Sequence, residues 1–181
     1  MRFFTNIRLL LTAFWLGAAV FFIGVAQSAF GVLRAREIVN ANELAGAIVN
    51  QTLAIVNYSG LIIGLILLAS SFIGTKSLSR IGVWTERFLL FVLTASCAVG
   101  QFVIASWLYI VRLQLGKPID EVGADDPLRM QFDALHKYSR WVLFAGMIAA
   151  LLAFFVISLK SDTTVTVEKI EKKDDFNFDK I

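Results

Sequence analysis

Four runs of this chain carry no charged side chain: residues 9–33, 44–75, 88–111 and 141–159. Each can cross a hydrocarbon layer as a helix, which takes roughly 20 residues, and nothing else in the sequence limits the fold so tightly. In lipid, backbone N–H and C=O groups must find partners within their own segment unless strands close into a barrel. These runs lack the alternation of apolar and polar residues that a barrel requires. The expectation is an all-α integral membrane protein, a bundle of four transmembrane helices over about 7–33, 44–74, 84–112 and 127–160. Residues 1–160 form its membrane domain, and the mixed-charge stretch 161–181 reads as a solvated, flexible tail.

Composition agrees. Of 181 residues, 57% are hydrophobic and 17% charged, a balance too apolar for an ordinary soluble domain. The net charge of +3 comes from basic residues that flank the apolar runs. They read as topology signals and lipid-headgroup contacts, and a nucleic-acid partner is not expected. The single cysteine, Cys97, lies within the third run, so it has no partner for a disulfide or a Cys-based metal site.

Taken in order, Arg2 and Arg8 precede a first apolar run too long for a cleaved leader, whose core spans roughly 7–15 residues, so this helix is expected to be retained. Gly17, Gly24 and Gly31 recur every seven residues, with Ser28 among them, a stripe that lets another helix approach closely. After a polar connector, Asn42 can cap a second helix. There Asn50, Asn57, Gly64 and Ser71 share a face, and Gly60 with Gly64 forms GxxxG.

In the third run Thr94, Ala98, Gln101 and Ala105 follow helical spacing and mark an inward face. Trp107 and Tyr109 close it, while Tyr138 and Trp141 open the fourth, as aromatic belts at one membrane surface should. Asp126 followed by Pro127 signals a helix start. From there an amphipathic juxtamembrane helix is expected to continue into the fourth span. Leu128, Phe132 and Leu135 form its apolar stripe, and Arg129, Asp133 and Lys137 can pair on the opposite side. Gly146 and Ala150 add a small-residue pair in the fourth span. Four spans leave both termini on one side. Lys and Arg are slightly more numerous there, which favours cytoplasmic termini in a bacterial inner membrane.

The stretches WLGAAVFFIGVAQSAFGVL, ELAGAIVNQTL and DDPLRMQFDALHKYSRW resemble the transmembrane-protein-205-like family of four-helix membrane proteins. The third is the most specific, with an arginine, an aromatic, then Leu135, His136 and Ser139 entering the last helix. The first departs from the family at Gln27, where relatives often carry proline, and at Gly31, where they often carry a basic residue. The resemblance covers most of the chain from Leu9 to Leu159 and implies a fold rather than a reaction. The family's vertebrate member is associated with drug resistance and secretion.

Candidate sites are few. His136, the only histidine, has Arg129, Asp133 and Arg140 near it in sequence. It could respond to protons or touch a ligand, but a side chain satisfied by headgroups, water or a neighbouring loop is the plainer reading. One histidine cannot supply haem ligation within a chain or the ligands of a typical zinc site, so no cofactor is expected. Asn50, Asn57, Gln27 and Gln101 could line a polar path, though such amides more often join helices. No charge interrupts the four runs, which argues against an ion-coupled pump. No GxSxG, HExxH or phosphate-binding loop is present. A non-enzymatic structural or accessory subunit packed against other membrane proteins, or a homo-oligomer, is therefore the first expectation. A transporter or channel for a neutral or amphipathic solute is the alternative.

Overall fold

A computed structural model describes residues 2–72 and 80–178, with side chains over 3–72 and 80–159. Among the described residues all regular structure is helical. Helix α1 spans Arg2–Ala35 and α2 Ala41–Ser70. Helix α3, Arg80–Ala98, passes through a π-helical segment, Val99–Ile104, into α4, Ala105–Leu115. A 3-10 turn, Ile119–Glu121, precedes α5, Pro127–Phe178. Four stretches among the described residues are long and apolar enough to cross a membrane: Phe3–Ala35, Ala41–Ser70, Arg80–Leu115 and Pro127–Leu159.

The helices outrun the uncharged runs because charged residues at their ends are also good helix formers. Thus α1 starts before residue 7, α3 before 84, and α5 continues as helix past 160 to Phe178. The expected tail is therefore helical through Phe178. Its side chains, those of Phe176, Asn177 and Phe178 included, lie outside the described ones, as do residues 179–181 and Lys76 between α2 and α3.

The path is up and down. The first turns of α1 meet the start of α3, where Arg8 pairs with Glu86. The end of α1 meets the start of α2, where Arg34 Nε donates to Asn42 Oδ1 at 2.7 Å. The core runs along the axis through Trp15, Ala19, Leu67, Leu90, Leu93, Cys97, Ala150 and Ala153. A second cluster joins Ile104, Leu108 and Val111 to Leu135 of α5, with Leu128 and Phe132 against it.

Helix ends follow local chemistry. Asp126 Oδ1 accepts the N–H groups of Leu128 (2.8 Å) and Arg129 (3.3 Å), capping α5 as expected. Gly116 closes α4 at φ 63, a left-handed conformation that glycine adopts without a Cβ clash. The expected cap at Asn42 is corrected. Helix α2 begins two residues earlier, with Asn40 at its cap in a left-handed conformation (φ 59), and Asn42 is already helical and reaches across to Arg34 and Asp120.

Candidate functional site

The middle of the bundle joins helices through small residues and neutral polar groups. Trp15 Nε1 donates to the Val56 carbonyl at 3.0 Å, filling the space over Gly60. A Cβ at Gly60 would lie 2.3 Å from Trp15 Nε1 and 2.5 Å from Cys97 Sγ. Gly64 admits the Thr94 hydroxyl, which donates to the Leu90 carbonyl at 2.7 Å. Gly146 lets Ser96 and Trp15 approach. Each of these three glycines is closely approached by side chains of neighbouring helices.

Asn57 is buried with its amide on Gly100, at the first turn of the π segment. The inward face of this stretch lies one residue before the expected one, and does so already at Cys97, ahead of the π segment. Buried positions run Thr94, Cys97, Gly100, Ile104, Leu108, so Ala98, Gln101 and Ala105 are half-buried at the edge instead of central. Gln101 Oε1 is nevertheless buried without a hydrogen-bond partner. Asn50 and Gln27 are exposed on the outside. The amides do not form one continuous face.

A charged layer that the apolar runs concealed closes one end. Glu86 is buried and pairs with Arg8, their side chains 5% and 18% exposed. Thr12, fully buried, donates its hydroxyl to the Arg8 carbonyl at 2.8 Å. Arg87 donates to the Ser71 carbonyl at 3.2 Å and stacks on Phe72, 4.1 Å from the ring centre. Arg8 lies one residue before the first uncharged run and Glu86 two before the third, so neither interrupts a run. The signal was present, since Arg8 and Glu86 each continue the helical face of the core residues that follow them.

The opposite end is tied by polar contacts among connectors. Glu43 pairs with Arg112 and accepts the Ile119 N–H at 3.4 Å. Asn42 Nδ2 donates to Asp120 Oδ1 at 2.5 Å. Arg129 Nη1 donates to the Ile119 and Val122 carbonyls, and its Nε pairs with Asp133 at 3.2 Å. Arg129 and Asp133 are thus engaged in fixing the connector to α5. His136 is half-buried on the same helix. Trp107, Tyr109, Tyr138 and Trp141 all point outward at this end. Among the described residues no three His, Cys, Asp or Glu side chains gather as a metal site.

The small-residue stripe of α1 faces away from the bundle. Its inward face is Thr12, Trp15, Ala19 and Phe22, while Gly17, Gly24 and Gly31 meet no atom within 4 Å of where a Cβ would stand. Gly17 and Gly24, read as helix-packing residues, therefore have no such role within this chain.

The chain matches no family model, no curated protein and no solved structure.

Proposed function

We propose that this protein is a non-enzymatic structural or accessory subunit of a membrane assembly, packed against other membrane proteins, for example in a respiratory or photosynthetic complex. The open glycine face of α1 supports this reading. Gly60, Gly64 and Gly146 are each filled by a neighbour within the bundle, whereas Gly17, Gly24 and Gly31 open outward on nothing. In lipid, glycine faces favour helix association by letting backbones approach.

On this reading the bundle lies in a bacterial inner membrane with both termini cytoplasmic, supported by the slight excess of Lys and Arg on that side. Residues 127–140 lie at the opposite membrane surface as an amphipathic stretch continuous with the fourth span. Their Leu128, Phe132 and Leu135 side pack on α4, with Tyr138 exposed, which supports that placement. Membership of the transmembrane-protein-205-like family fits the four-span architecture and rests on the sequence motifs alone.

Purification from native membranes in mild detergent tests the proposal. The expected result is recovery with larger subunits at fixed stoichiometry, with Gly17→Leu weakening that association. A lone monomer in both native and mild-detergent preparations overturns it. The transport reading draws on one observation, the unpartnered Oε1 of Gln101. Uptake of a neutral solute into proteoliposomes, lost in Gln101→Leu, would favour it instead.

A further inference from the structure

The C-terminal half of α1 and the first turns of α2 leave a groove between them. Phe21, Gly24, Val25, Val32 and Ile48 line it, with Ser28 contributing a hydroxyl, and it is an open surface groove of about 680 Å³. Gly24 lies in its lining, with open space where its Cβ would stand. The volume falls in the range of roughly 300–1,000 Å³ typical of small-molecule sites. It lies within the first membrane-length stretch, Phe3–Ala35.

The end of the groove meets charge. The Arg36 N–H donates to the Val32 carbonyl at 3.2 Å, which sets Arg36 one turn beyond the groove wall on the same side of α1. Its side chain is exposed. The exposed Arg34 is adjacent, its guanidinium 5.4 Å from the Phe30 ring and its Nε on Asn42. The connector, residues 34–42, has two arginines against one glutamate, Glu37. Ile38 and Val39 are exposed beside them, Val39 at 81%, which suits a connector seated at headgroup level where apolar side chains dip into lipid. An apolar groove thus has two arginines beyond its end, and such residues attract anionic headgroups in a bilayer.

We propose that this groove holds an acyl chain of an anionic phospholipid whose phosphate pairs with Arg36. The proposal goes beyond the accessory reading and does not depend on it. A helix seated at Gly17 leaves the groove farther along α1 to lipid, and a monomer would hold the same molecule.

Mass spectrometry of the intact protein tests it after exchange into detergent micelles containing phosphatidylglycerol or phosphatidylcholine of identical acyl chains. Wild type is expected to retain the anionic lipid about fivefold better, as one basic residue near phosphate provides. Arg36→Gln should abolish that preference while keeping residual binding of both lipids. Gly24→Leu, which fills the slot, should lower retention of both, with unchanged helix content and melting temperature as the control on folding. Equal retention of the two lipids by wild type overturns the proposal, as does unaltered binding in Gly24→Leu. A dimer that excludes lipid and is broken by Gly24→Leu also overturns it, assigning the groove to a second copy of the chain.

Discussion

Glycine has opposite meanings at different positions in this protein. At Gly60 an added methyl would drive into Trp15 and Cys97, and Trp15 cannot yield without breaking its hydrogen bond to the Val56 carbonyl. Gly60→Ala is expected to cost about 1–3 kcal/mol, the usual penalty of overpacking, read as a lower melting temperature in detergent. Gly24→Ala meets open space and gains helix propensity, about 1 kcal/mol at most, so its melting temperature should equal or exceed wild type. The Arg8–Glu86 pair is the other residue-scale determinant. Glu86→Ala removes the carboxylate facing a largely buried guanidinium, and losing one partner of a buried pair costs about 3 kcal/mol or more. A double-mutant cycle with Arg8→Ala should return a coupling energy well above the roughly 1 kcal/mol of an exposed pair. A coupling near zero would show that the pair contributes nothing to holding α1 on α3.

At the scale of elements, the helices were legible and their rotation was not. Uncharged runs fix where lipid-crossing helices lie, because one charge in hydrocarbon costs several kcal/mol, and Asp126 with Pro127 fixed the start of α5. Spacing rules place a face only if every turn holds 3.6 residues. On α3 and the π segment that follows, both Ala98–Gln101–Ala105 and Cys97–Gly100–Ile104 fit such spacing, and the second turned inward, with Cys97 against Gly60 and the Asn57 amide on Gly100. On α1, small residues and the large Trp15 compete for the inward face. Trp15 wins because its ring fills the space over Gly60 and its N–H finds a carbonyl, a pairing across helices that one segment's sequence cannot display. The Gly100–Asn57 contact is testable. Gly100→Ala would put a methyl 3.1 Å from the Asn57 amide, costing about 1 kcal/mol or more by overpacking. Asn57→Ala in the same chain should restore most of that loss, whereas the two effects would simply add if the residues did not meet.

At the scale of the whole molecule, the two polar ends define which parts share a surface. Arg8 with Glu86 brings the start of α1 to the start of α3, and Arg87 on Ser71 adds the end of α2. Asn42 with Asp120 and Glu43 with Arg112 gather the opposite end. With four crossings in alternate directions, Phe3 and Val39 stand at opposite ends, both well exposed. Cys97 is buried, so its thiol should resist a water-soluble maleimide in the folded protein, and Cys97→Ala provides a background for single-cysteine labelling. In sealed vesicles of one orientation, Phe3→Cys and Val39→Cys should label from opposite sides, each blocked only by quencher on its own side. Labelling of both from the same side would mean that α1 does not cross the bilayer. The groove beside Gly24 would then face water, and the lipid assigned to it would have no hydrocarbon to enter from.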